Sequence, residues 1–211
     1  MRLILSSNDF SRPDTKQCIL DHLNVPLRNC RLLYIPNEKA SEKQMRSDRF
    51  QNRCAAYGFD PAKVTVLNYY HAEEYLHLEI DAVYVSGGNT FSTYARICGH
   101  GFAEALKSYV LGGAVYIGGS CGAHIVSQDI RHVKAFDEDR TGRTDYAGLG
   151  LFPGILVCHY SEERRAVYEQ LCRESPYPVY ALRNGDSIVY EDGKTELFPA
   201  DGEDDCGSGK A

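Results

Sequence analysis

"YIGGSCGAHI", Tyr116–Ile125, decides how this chain is read. An apolar run ends in two glycines, a serine and a cysteine stand side by side, and small residues lead on into a helix-forming segment. Gly118, Ser120 and Gly122 spell G-x-S-x-G between a strand and a helix. A chain that reverses sharply there pushes the central side chain into strained backbone territory and demands tiny neighbours two residues to either side. For Cys121 the corresponding neighbours are Gly119 and Ala123, which are nearly as small. Two nucleophile candidates therefore sit next to each other. The serine needs a neighbouring base, the cysteine needs a stabilised thiolate, and either would recruit a histidine.

Working outward, short β-rich apolar runs alternate with longer amphipathic segments, the pattern of an α/β domain with a mainly parallel sheet flanked by helices. The strand candidates are Arg2–Ser6, Arg31–Pro36, Lys63–Asn68, Asp81–Gly87, Gly113–Gly118 and Gly154–His159. Later runs over Pro178–Leu182, Ser187–Asp192 and Lys194–Phe198 read as a C-terminal ribbon or edge, with Gly193 in a hairpin turn. Helices are expected over Asp14–His22, Ser41–Tyr57, Thr90–Cys98, Phe102–Leu111 and Ser161–Glu174. Ser41 followed by Gln44 fits a capping box, in which side chain and backbone cap each other.

The 211 residues suit one domain, expected over 1–198, with an acidic, glycine-rich stretch over 199–211 that has little to bury and is expected to be disordered. A net charge of −6 without a basic stripe argues against nucleic-acid binding, which relies on clustered Lys and Arg. The first apolar run is too short for a signal peptide and no run reaches the ~18 residues of a membrane span, so no membrane association and a cytoplasmic location are expected. Eight scattered cysteines without a C-x-x-C pair do not form a zinc pattern. No metal and no organic cofactor is called for, and the protein is expected to be a monomer or homodimer.

A second glycine turn, "VSGGNTF" (Val85–Phe91), follows the strand before the Ser120 turn. Its exposed amides stand at the carboxyl edge where open α/β sheets bind ligands, and they could form an oxyanion site with the amide of Cys121. Its bland alternative is a Gly-Asn turn ahead of a helix cap. His159 closes "GILVCH" at the same edge and is the candidate base. His124, four residues past Ser120, is its rival. The remaining histidines, His132 among them, read as surface residues. Asp137, Glu138 and Asp139 in "AFDEDR" offer a carboxylate to orient the histidine.

Together "VSGGNTF", "YIGGSCGAHI" and "LGLFPGILVCHY" (Leu149–Tyr160) resemble the peptidase E (aspartyl dipeptidase) family of serine peptidases, which is related to cyanophycinase. The likeness runs from the first strand to about His159. It implies a fold like that of class I glutamine amidotransferases, a flavodoxin-like three-layer architecture, and a Ser-His-acid triad that cleaves dipeptides or short peptides, those with an N-terminal Asp among the candidates. On this resemblance Ser120 falls on the nucleophile, His159 on the general base, and Gly88 and Cys121 on the oxyanion amides. Asp137 is selected as the acid, with Glu138 as second choice. Asn89, Arg164 and Arg165 are the substrate-binding candidates, the two arginines being equally readable as exposed helix residues paired with acids. The longer loop that carries the family's Asp-reading arginine is missing after His159. A Cys121-dependent, amidotransferase-like hydrolase and a non-catalytic binding or regulatory protein remain as alternatives.

Overall fold

The central apolar runs become buried strands of one sheet with helices packed against it. In the computed structural model, which describes residues 1–200, β1 (Arg2–Ser6), β2 (Leu32–Ile35), β3 (Val64–Val66), β4 (Ala82–Val85) and β5 (Val115–Gly119) run parallel in the order β3-β2-β4-β5-β1. Near-continuous apolar sequence is what a doubly covered parallel sheet requires. The expected tail over 199–211 lies almost wholly outside the described residues.

The helices are α1 (Pro13–His22), α2 (Glu42–Met45), α3 (Arg49–Tyr57), α4 (Thr90–Gly99), α5 (Ala103–Leu111), the single turn α6 (Cys121–His124) and α7 (Arg165–Glu174). The capping box forms as read: Ser41 Oγ accepts from the Gln44 amide and Gln44 Oε1 from the Ser41 amide. The helix expected over Ser41–Tyr57 divides at Arg46–Asp48, where Ser47 Oγ donates to Gln44 O and competes with helical pairing.

Tyr34, Tyr84 and Tyr116 are fully buried on the central strands, with the Tyr34 and Tyr84 rings edge to face at 5.2 Å. Tyr116 Oη donates to Gly122 O at 2.7 Å and so ties β5 to the turn that follows it.

One expectation about strand partners changes. The run ending at His159 supplies β6 (Ile155–Val157), which does not join the main sheet but pairs in parallel with β7 (Val179–Ala181) in a separate two-stranded sheet. The C-terminal ribbon forms at the sheet edge as read: β8 (Ser187–Glu191) lies antiparallel beside β1, and β9 (Lys194–Phe198) adds to β8 as a hairpin. That hairpin turns through Asp192 and Gly193, both at positive φ, as the Gly193 reading requires. Because Ser6 pairs with Ser187 and with Gly119, the turn leading into β8 lies at the same sheet edge as the carboxyl ends of β1 and β5.

Candidate active site

At that edge the backbone is strained in two places that face each other. Among the described residues only Ser120, His159 and Asp192 are non-glycine residues at positive φ, and the first two both have φ 51°. Ser120, with ψ −108°, stands between β5 and α6, its amide donating to Ser6 O at 2.9 Å. Such conformations cost on the order of 1–3 kcal/mol each and persist only where surroundings hold them. Gly118 shows what holds this one: a Cβ there would lie 2.6 Å from the carbonyl carbon of Gly122. A Cβ at Gly122 would overlap Val85 O on β4. The strand and the one-turn helix thus touch backbone to backbone, as the G-x-S-x-G spacing led us to expect.

His159 Nε2 lies 3.0 Å from Ser120 Oγ. His159 comes from the segment after β6, and its backbone amide donates to Ser7 Oγ at 2.9 Å. Ser7 Oγ in turn donates to Leu182 O at 2.7 Å, so one buried hydroxyl links the histidine to the turn before β8. The other ring nitrogen, Nδ1, faces Asn184 Oδ1 of that turn at 2.7 Å. His124 does not compete for the serine. It is buried, with Nδ1 3.3 Å from Thr90 Oγ1 and Nε2 accepting from the Cys158 amide. Burial holds it neutral, well below the ordinary histidine range. His132, expected at the surface, is half-buried, with Nε2 donating to Leu156 O at 2.7 Å.

The glycine turn lies where the reading put it. A Cβ built at Gly87 would be 3.8 Å from Ser120 Cβ, so the loop lines the serine. Gly88 leaves no room for a side chain, because a Cβ there would lie 2.5 Å from Glu38 Oε2 and 2.6 Å from Asn37 Cβ. Among the described residues no acceptor takes the amides of Gly88 or Cys121. The next two amides are taken: Asn89 N donates to Glu38 Oε2 at 3.1 Å and Thr90 N to Asp137 Oδ2 at 2.8 Å. Two carboxylates therefore clamp the start of α4, where negative charge is favoured. With α6 only one turn long, its free amides, and not a helix dipole, are what it can offer an anion.

This arrangement corrects the placement of Asp137. Its carboxylate is spent on the Thr90 amide and makes no hydrogen bond to His159, whose Nδ1 is occupied by Asn184. Glu138 is exposed and pairs with Arg140. Asn89 points its side chain at its own helix, accepting from the Ser92 amide, and its Nδ2 donates to Glu138 O. Arg165 pairs with Glu162 at 2.8 Å on the surface, as its bland reading had it. Arg164 does not: Nη1 donates to Cys158 O at 2.6 Å and the guanidinium lies 4.0 Å over the Phe136 ring. Cys121 is fully buried, and burial pushes its thiol well above the ordinary value of 9.0.

Three residues of the site went unread in the sequence. Ser7 and Glu38 stand on loops after β1 and β2 with no pattern to mark them. Asn184 sits in "RNGD", an obvious Asn-Gly turn, but nothing in the sequence places that turn against His159.

The sequence model of peptidase family S51 matches residues 3–198. Peptidase E of Streptomyces coelicolor is 30% identical over 129 residues, 56% of this chain and 52% of that protein. An uncharacterised peptidase of Pasteurella multocida is 34% identical over 83 residues, 38% of this chain and 40% of that protein. The chain thus spans about half or less of the length of these curated relatives. Among solved structures, a Listeria monocytogenes EGD-e protein named for peptidase E superposes with a TM-score of 0.73 at 20% identity, covering 94% of this chain and 98% of that one. A peptidase from an acI-B1 Actinobacterium gives a TM-score of 0.65 at 13% identity, over 94% of this chain and 87% of that one. At such identities these two likenesses bear on the fold alone, which is the three-layer α/β architecture.

Proposed function

The chain belongs to peptidase family S51, and on that premise we propose that it is a serine-type hydrolase of dipeptides or short peptides, with Ser120 as nucleophile on a nucleophile elbow. The observation that carries this reading is the 3.0 Å approach of His159 Nε2 to Ser120 Oγ, made by two residues both held at φ 51°. A hydroxyl within hydrogen-bond reach of an imidazole whose far nitrogen is also engaged is the arrangement of an activated serine.

In the proposed reaction Ser120 Oγ attacks the scissile carbonyl carbon while its proton passes to His159 Nε2. The oxyanion that forms accepts hydrogen bonds from the amides of Gly88 and Cys121, held for that purpose by the clamped loop and the tight turn. Collapse breaks the C–N bond, and the leaving amine takes the proton from Nε2. Water then attacks the acyl-enzyme, giving a proton to His159 Nε2; the bond from the acyl carbon to Ser120 Oγ breaks, Oγ takes that proton back, and the acid is released. Burial of Cys121 supports assigning the chemistry to oxygen, since a thiol pushed upward has little thiolate to attack with.

Arg164 is the one of the three substrate-binding candidates whose head group lies inward beside the site, and it is partly committed to Cys158 O. A preference for N-terminal Asp therefore rests on this guanidinium. A fluorophosphonate probe should label the protein at Ser120, and Ser120→Ala should abolish labelling and reduce peptide hydrolysis by on the order of 10⁴-fold. Unlabelled wild-type protein that hydrolyses no dipeptide of a broad library would refute the reading.

A further inference from the structure

We propose that Asn184 is the residue that positions His159, and that a neutral amide thereby stands where a serine triad carries a carboxylate. The inference deepens the hydrolase reading and rests on it. Four observations carry it. Asn184 Oδ1 lies 2.7 Å from His159 Nδ1, on the side of the ring opposite Ser120. For Nε2 to accept the serine proton, Nδ1 must hold the ring's hydrogen and donate it, and Oδ1 is an acceptor. No carboxylate among the described residues hydrogen-bonds to the ring, and the nearest sequence candidate, Asp137, is taken by Thr90. Finally, the turn carrying Asn184 is fixed on several sides.

That fixing is specific. Gly185, at φ 93°, donates its amide to Asn8 Oδ1 at 3.1 Å, and Arg183 N donates to Asp186 Oδ2 at 2.8 Å. Leu182 N donates to Val157 O, and Leu182 O accepts from both the Tyr160 amide and Ser7 Oγ. The buried Ser7 hydroxyl accepts from the His159 amide and donates to Leu182 O, two residues before Asn184, so one atom ties the histidine backbone to the segment that leads into the asparagine turn. A short polar side chain on so constrained a turn orients the ring at little cost in side-chain entropy. An amide can fix a tautomer as a carboxylate does, and asparagine serves in that place in other nucleophile-histidine enzymes. What it cannot do is add a full negative charge beside the imidazolium.

The charged and titratable groups packed around His159 leave that place unfilled. From α6, His124 is held neutral by burial. From the approach to α7, Arg164 binds Cys158 O. In the Asn184 turn, Asp186 pairs with Arg183 at 3.4 Å. From the loop after β1, Asp9 accepts from Tyr84 Oη. From the loop after the Arg131–Ala135 turn, Asp137 caps α4.

The test uses the intact protein with Asn184→Asp and Asn184→Ala, an exposed position whose change should leave the thermal midpoint in place. For each, the pH titration of the His159 imidazole resonance and the pH dependence of fluorophosphonate labelling are recorded. Asn184→Asp should move both midpoints upward together by about 1–2 pH units, the effect of a carboxylate placed against the ring. Asn184→Ala should slow labelling by on the order of 10- to 100-fold without unfolding the protein, because the ring loses its orientation. An unmoved titration in Asn184→Asp, or wild-type labelling in Asn184→Ala, overturns the proposal. The resonance titration needs no turnover. A shifted His159 signal in a protein that is never labelled would sink the hydrolase reading and keep the positioning role.

Discussion

Adding one methyl group at Gly118 tests whether the strained turn is what aims Ser120. The Cβ of Gly118→Ala would stand 2.6 Å from both the carbonyl carbon and the oxygen of Gly122 and 2.7 Å from Tyr116 Cε1. Ordinary carbon contacts begin near 3.5 Å, so β5 and α6 must separate by roughly 1 Å. Neither neighbour can swing away as a flexible side chain would, since two of the three atoms are backbone and the tyrosine is anchored to Gly122 O. Overpacking of this kind costs about 1–3 kcal/mol. The larger effect falls on chemistry, because the Cys121 amide and Ser120 Oγ move with α6 while His159 stays on its own loop, and a displacement near 1 Å costs on the order of 10²-fold in rate. Urea unfolding and the second-order rate of fluorophosphonate labelling measure the two separately. Gly99→Ala on α4 is the control: nothing beyond its chain neighbours and its own helix backbone lies within 4 Å of its Cβ, and the change should be neutral or stabilise by up to about 1 kcal/mol. Should Gly118→Ala unfold at the wild-type urea midpoint and label at the wild-type rate, the backbone-contact account of this turn is wrong.

Other outcomes follow from the same geometry. Cys121→Ala should still be labelled at Ser120, losing about 1 kcal/mol of stability to the small void, and iodoacetamide should inactivate neither it nor the wild type in the folded state. Asp137→Ala should lower stability by about 0.5–2 kcal/mol, as loss of a helix cap does, and slow labelling while leaving its pH midpoint in place; a midpoint that moves would return Asp137 to the histidine. His124 is neutral in the fold and regains its ordinary 6.5 when unfolded, so the unfolded state binds more protons as pH falls through that value. Stability should therefore decline below about pH 6.5, with a slope approaching 1.4 kcal/mol per pH unit from this group, and urea midpoints at pH 7.5 and 5.5 should differ less in His124→Asn than in wild type.

The parallel strands were legible because each is a bounded apolar run, and the Ser120 turn because close backbone contact leaves a spacing of small residues that few other structures require. Gln44 and Gly193 announced their cap and hairpin through local chemistry alone. What stayed hidden was pairing between distant segments. An apolar run says that β6 is buried, but not that β8 takes the place beside β1 and leaves β6 to pair with β7. Asp137 illustrates the same gap inside the site. Its position among three acids brought it to the right region, yet which donor would capture it depended on how close the amide of Thr90 came. Asn184 was unreadable for the complementary reason: a turn is visible in "RNGD", whereas its neighbour 25 residues earlier in the chain is set by β8 docking on β1.

That docking joins Arg2 to Glu191, strands from opposite ends of the described chain. Contacts of such long sequence separation form slowly, since a large loop must be closed first. During synthesis Ser120 and His159 emerge well before the strand that brings the Asn184 turn to them. A nascent chain would thus carry both side chains before the turn that meets His159 is in place, and the geometry on which the proposed hydrolysis rests would be complete only once β8 has docked.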